Sequence, residues 1–193
     1  MSLYAIALFL HIVGALGLFA ALGLEWTSLR QLRRATTVEQ VRAWFDVLGL
    51  VRRIGPASLA AILLPGFYLM AAAWGWTGWI VVALAGIGVL AALGALNGVP
   101  LSALGRELTM QQGALAAPVR ERLQHPRFVA SIQTRVALVL GIVFLMTVKP
   151  DLGGALLTIG VAVVLGLGAS VPAWRRERAR RVPAVAVGDD AAA

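Results

Sequence analysis

The chain contains no cysteine, which excludes disulfides and thiolate metal centres alike. Charge is scarce as well: 13% of the residues are Asp, Glu, Lys or Arg, where a soluble domain carries about a quarter. Acidic side chains are the scarcer kind, nine against seventeen basic ones. Histidine occurs only at His11 and His125, and lysine only at Lys149. No serine–histidine–acid set, paired carboxylates, phosphate-binding glycine loop or dense metal-ligand cluster can be picked out. The residues themselves therefore nominate no catalytic centre.

What the chain has in abundance is apolar. Hydrophobic residues make up 60% of it and its mean hydropathy is +0.84, so lipid rather than water must cover much of its surface. Five apolar runs stand out, at about 3–24, 54–73, 79–99, 129–148 and 155–174. Each has ~20 residues, enough for a helix to cross ~30 Å of hydrocarbon. The expected fold is all-α: a polytopic membrane protein whose five-helix transmembrane bundle occupies 1–181, followed by a disordered tail at 182–193. Between the first two runs, Val38, Val41, Phe45 and Leu48 share one helical face. Residues 37–48 thus read as an amphipathic helix on the membrane surface, with Thr36 or Thr37 as its N-cap. Pro56 suits the first turn of span two, Pro65-Gly66 a kink in its middle, and Pro100 the end of span three. Trp74, Trp76 and Trp79 read as interfacial anchors at a chargeless turn.

The arginines set the orientation. Arg30, Arg33, Arg34, Arg42, Arg52 and Arg53 follow span one. Arg106, Arg120, Arg122, Arg127 and Arg135 lie between spans three and four or just inside the latter. Five more, from Arg175 to Arg181, follow span five, and the opposite side has only Lys149. The positive-inside rule then predicts the N-terminus outside and the C-terminus inside. A net charge of +8 and a pI near 11.5 are accounted for by this membrane role. Anionic lipids at the inner face are the expected partners, and nucleic acid is not. No basic residue precedes span one, so it reads as a retained helix rather than a signal peptide. Richness in Ala, Gly, Leu and Val with Arg far above Lys suggests a bacterial origin, hence the inner (cytoplasmic) membrane.

The polar residues inside the spans are the functional candidates, because ionisable groups are costly in hydrocarbon. His11 sits ~12 Å into span one at 1.5 Å per residue, with Gly14 on the same face leaving room for a helix or a flat ligand. It is a candidate haem or metal ligand, or else an interhelical hydrogen-bonding group. Met70 and Met146, near the same end of spans two and four, would complete a soft copper site with His11. Thirteen residues separate Arg135 from Lys149, too few to span, so Arg135 is drawn into the membrane. Snorkelling, Glu25, Glu107, a lipid phosphate and a ligand carboxylate are all open to it. Gly94 and Gly98 form a GxxxG pair which, with Asn97, reads as a helix-packing surface.

The stretch Leu10-His11-Ile12-Val13-Gly14, followed by small and then basic residues, resembles the first helix of a group of small bacterial membrane proteins. The group includes the copper-resistance protein D type and the HemJ-type protoporphyrinogen oxidases. The ending Phe144-Leu145-Met146-Thr147-Val148-Lys149-Pro150 is similar to uncharacterised members. The likeness covers most of residues 1–150 in layout but only these short motifs in sequence. It implies haem b binding through His11, with Arg135 near a propionate, or copper handling. The Tyr-Leu-Pro-Arg-Leu run of the HemJ type is replaced here by Leu24-Glu25-Trp26-Thr27-Ser28-Leu29-Arg30, which argues against protoporphyrinogen oxidation. Three functions stay open at this point. They are cofactor or metal binding at His11, a structural or partner-dependent membrane subunit, and copper or small-solute transport, the last helped by a homodimer because five spans show no internal repeat.

Overall fold

The computed structural model describes residues 2–108 and 110–181, with side chains as far as Ala179. The tail expected at 182–193 lies outside the described residues. Six α-helices follow in order: α1 Leu3–Leu32, α2 Val38–Leu69, α3 Gly78–Glu107, α4 Ala117–Gln124, α5 Pro126–Val148 and α6 Leu152–Arg181. A π-helical turn, Met70–Trp74, extends α2. Five of the helices are long and apolar enough to cross a membrane, and no strand occurs among the described residues. The chain is an all-α, multi-pass membrane protein. Leu16, Leu64, Leu96, Leu157 and Val164 are exposed around the bundle, a belt that suits hydrocarbon.

The helices overrun the apolar runs at the arginine end. The helix expected on the membrane surface at 37–48 is instead the beginning of α2, continuous with span two. Its apolar face, Val38, Val41, Phe45 and Leu48, is buried in protein rather than offered to lipid. Pro56 consequently lies well inside α2, and Pro100 lies inside α3, which runs on to Glu107. The reason is physical: a fall in hydropathy marks where a helix leaves lipid, not where its backbone hydrogen bonds stop. Beyond the apolar runs, Leu29, Leu32, Val38, Val41 and Leu104 still bury one another's neighbours in a common core.

Contacts across the chain close this end. The Val38 N–H donates to the Gly113 carbonyl at 2.9 Å, and the Leu115 N–H donates to that of Thr36 at 3.0 Å. The Gly113 N–H donates to Oε1 of Glu39 at 3.0 Å. Arg42 Nη2 donates to the carbonyls of Leu108 and Gln111 at 3.2 and 2.9 Å. At the tryptophan end, Lys149 terminates α5 in the left-handed region at φ 54° and lays its ammonium 3.8 Å from the Trp74 ring centroid. Oδ1 of Asp151 accepts from the Gly154 N–H at 2.8 Å and caps α6.

Helix pairing follows the small residues. A Cβ at Gly14 would stand 2.8 Å from the Ala61 carbonyl carbon, and one at Gly17 would stand 2.5 Å from Ser58 Oγ, so α1 lies close along α2. Gly166 likewise brings α6 against the Thr134 backbone of α5. α3 packs on α5 and α6, whereas α2 and α3, though consecutive, barely meet. A cleft remains between them, floored by α1 and α5.

Candidate functional site

Two cavities along the cleft hold His11 and Arg135. The first, about 350 Å³, lies toward the tryptophan end and is lined by His11, Met70, Met146, Trp74, Trp79 and Lys149 among others. The half-buried His11 ring sits where Gly66 has no side chain: a Cβ there would stand 3.2 Å from its Cε1 and Nδ1. Nδ1 lies 2.8 Å from the Ile62 carbonyl oxygen. A carbonyl can only accept, so Nδ1 carries a proton, and in the neutral ring Nε2 then keeps its lone pair. A backbone carbonyl holding one ring N–H in this way commonly orients a histidine whose other nitrogen binds a metal. Pro65, inside α2, lacks the N–H that would bond the Ala61 carbonyl, so His11 meets α2 beside a loosened turn. The π-helical turn beginning at Met70 shapes the far wall, and such turns recur at functional sites.

The second cavity, about 410 Å³, lies toward the arginine end and contains Glu25, Arg135 and Arg52 in an otherwise mostly apolar lining. Arg135 Nη1 donates to both oxygens of Glu25, at 2.6 and 2.7 Å. Both residues are buried, at 8% and 7% exposure, so the pair is held in a low-dielectric setting where breaking it is costly. Nε of Arg135 is buried without a partner. The two cavities approach to within about one helical turn, between Leu59 and Ile62 on α2 and between Ile87 and Leu90 on α3.

Several sequence-level expectations change here. His11, Met70 and Met146 do share a cavity. Gly14 faces the α2 backbone and leaves no space for a ligand. Arg135 lines the other cavity, where it is paired with Glu25. Within this chain, Gly94 and Gly98 do not together seat another helix backbone. A Cβ at Gly94 would meet the Arg135 guanidinium at 3.4 Å, and one at Gly98 would meet nothing within 4 Å. Asn97 is buried with its Nδ2 unpartnered. His125 stacks edge-on against Trp174 at 6.1 Å, outside both cavities. Glu25 and Gly66 are the residues whose part in the sites the sequence understated. Glu25 was one of several anions open to Arg135, and a glycine that makes room for a ring leaves no sequence signature.

Fold and site together define a class: a multi-pass helical membrane protein with a cleft that holds a histidine cavity and a buried arginine–glutamate pair. No family model matches the chain, and neither a curated protein nor a solved structure does.

Proposed function

We propose that this protein binds copper(I) in the tryptophan-end cavity, through Nε2 of His11 and the thioethers of Met70 and Met146. The observation that carries this reading is the His11 Nδ1–H···Ile62 hydrogen bond, which leaves Nε2 as the ring's free donor in a cavity shared with both methionines. One imidazole and two thioethers make a soft set suited to copper(I). Among the described residues no three His, Cys, Asp or Glu side chains cluster, so the donors of a hard-cation site are not assembled there. The haem arrangement is less well supported, since Arg135 is engaged by Glu25 in the other cavity. We place the N-terminus outside and the C-terminus inside a bacterial cytoplasmic membrane, on the support of the one-sided arginines. His11 then opens toward the outer face.

The test is a copper(I) titration of the detergent-purified full chain against a chromophoric chelator. One copper per chain is expected, with affinity at least about tenfold lower in His11→Ala and in Met70→Leu. A wild type that cannot compete for copper, or a His11→Ala variant that binds equally well, overturns the proposal. A second reading, a structural subunit, draws on the way Gly14 and His11 fasten α1 to α2. Under it, His11→Ala lowers thermal stability and leaves copper uptake unchanged. A Soret band that depends on His11 after expression with haem would instead favour the haem reading.

A further inference from the structure

The arginine-end cavity is separate from the copper proposal and has its own chemistry. Glu25 has both oxygens satisfied, but by a single guanidinium nitrogen, Nη1. Nε of Arg135 is left buried and unpartnered in a side chain only 10% exposed. A guanidinium in a low-dielectric site is rarely left with idle donors, and Nη2 remains to donate to an oxyanion. Gly94 of α3 lies beside the guanidinium: a Cβ there would stand 3.4 Å from Cζ and Nη2 and 3.7 Å from Nε.

Charge and shape narrow the occupant. The lining holds Glu25, Arg52 and Arg135, one negative and two positive groups, for a net of +1. Arg52 is exposed and lies two residues before the apolar run of α2 begins at about 54, at the level of lipid headgroups. From there the cavity runs inward past Pro56 and Leu59 on α2 and past Val99, Ala95 and Ala91 on α3 to Leu18 and Leu90. Its walls are not closed: Pro56, Ala91, Ala95 and Val99 are all exposed, on the two helices that barely touch. Gly55 and Gly98 meet nothing within 4 Å even with an added Cβ, so the space between the helices is wide.

We propose that this cavity binds one anionic phospholipid, with its phosphodiester between Arg52 and Arg135 and its acyl chains laid along the cleft between α2 and α3. A phosphodiester carries the single negative charge that the lining lacks, and the apolar walls below it take the chains. A free phosphate would leave those walls uncovered. A zwitterionic phospholipid brings no net charge to the site.

Native mass spectrometry of the detergent-purified full chain, titrated with phosphatidylglycerol, phosphatidylcholine and oleate, tests this. Wild type is expected to bind one phosphatidylglycerol at least about tenfold more tightly than phosphatidylcholine, as one charge-assisted contact implies. Arg52→Ala should reduce that preference. Gly98→Leu, whose Cβ meets nothing within 4 Å, should weaken phosphatidylglycerol binding while circular dichroism and elution volume stay unchanged. The neutral double variant Glu25→Gln/Arg135→Gln, which leaves no unpaired buried charge, should lose the preference. Equal binding of the two phospholipids overturns the proposal, as does undiminished phosphatidylglycerol binding in both Arg52→Ala and Gly98→Leu. Oleate bound in place of phosphatidylglycerol overturns the phospholipid assignment.

Discussion

Two ionisable side chains inside the spans, Arg135 and His11, are each fixed by a partner far along the chain. Arg135 and Glu25 are 110 positions apart and form one buried ion pair. Removing one partner strands the other charge, so Arg135→Ala is expected to cost ~3–5 kcal/mol. Glu25→Gln/Arg135→Gln should be more stable than either Arg135→Ala or Glu25→Ala, measured by thermal unfolding in detergent. Additive losses across these variants would show that the pair is not coupled. The burial of Arg135 among the helices was foreshadowed in the sequence, because thirteen residues to Lys149 are too few to span. Its partner was not: Glu25 was one acid among several. His11 was legible as a lone imidazole in an apolar helix. Its acceptor, the Ile62 carbonyl, is a backbone group present at every position and so leaves no mark in the residues.

At the scale of the helix, glycine spacing misleads where close approach does not. Gly94 and Gly98 have GxxxG spacing, but spacing only shows that a face is smooth, not that a helix lies against it. Gly14, outside any such pair, does touch, with the α2 backbone within 3 Å of where its Cβ would be. Gly14→Ala is therefore expected to destabilise the protein by ~1–3 kcal/mol through overpacking. Gly98→Ala should change stability little, since nothing lies within 4 Å. Equal melting temperatures for Gly14→Ala and wild type would contradict the α1–α2 contact. Helix boundaries were legible at the tryptophan end, where Gly75 and Lys149 take positive φ and stop the chain. They were not legible at the arginine end, where polar surface and helical backbone coexist for several turns.

Across the whole molecule, the five spans and their order were plain from hydropathy, because lipid demands long uninterrupted helices. The pairing of those spans was not, since every span is apolar on most faces. The gap between the consecutive helices α2 and α3 is a consequence of that pairing, and it creates both cavities. Topology is directly testable because the chain has no cysteine of its own. With N-terminus outside, an impermeant maleimide added to intact cells should label Trp76→Cys and spare Gln112→Cys, both exposed positions. The opposite pattern would invert the bundle and turn the His11 cavity toward the cytoplasm.

The most direct measurement for the central claim is copper K-edge X-ray absorption of the reduced, copper-loaded protein. A first shell of one imidazole nitrogen and two sulfurs is expected, with the sulfur signal lost in Met70→Leu/Met146→Leu. A shell without sulfur, or a spectrum unchanged by His11→Ala, contradicts copper binding at this site.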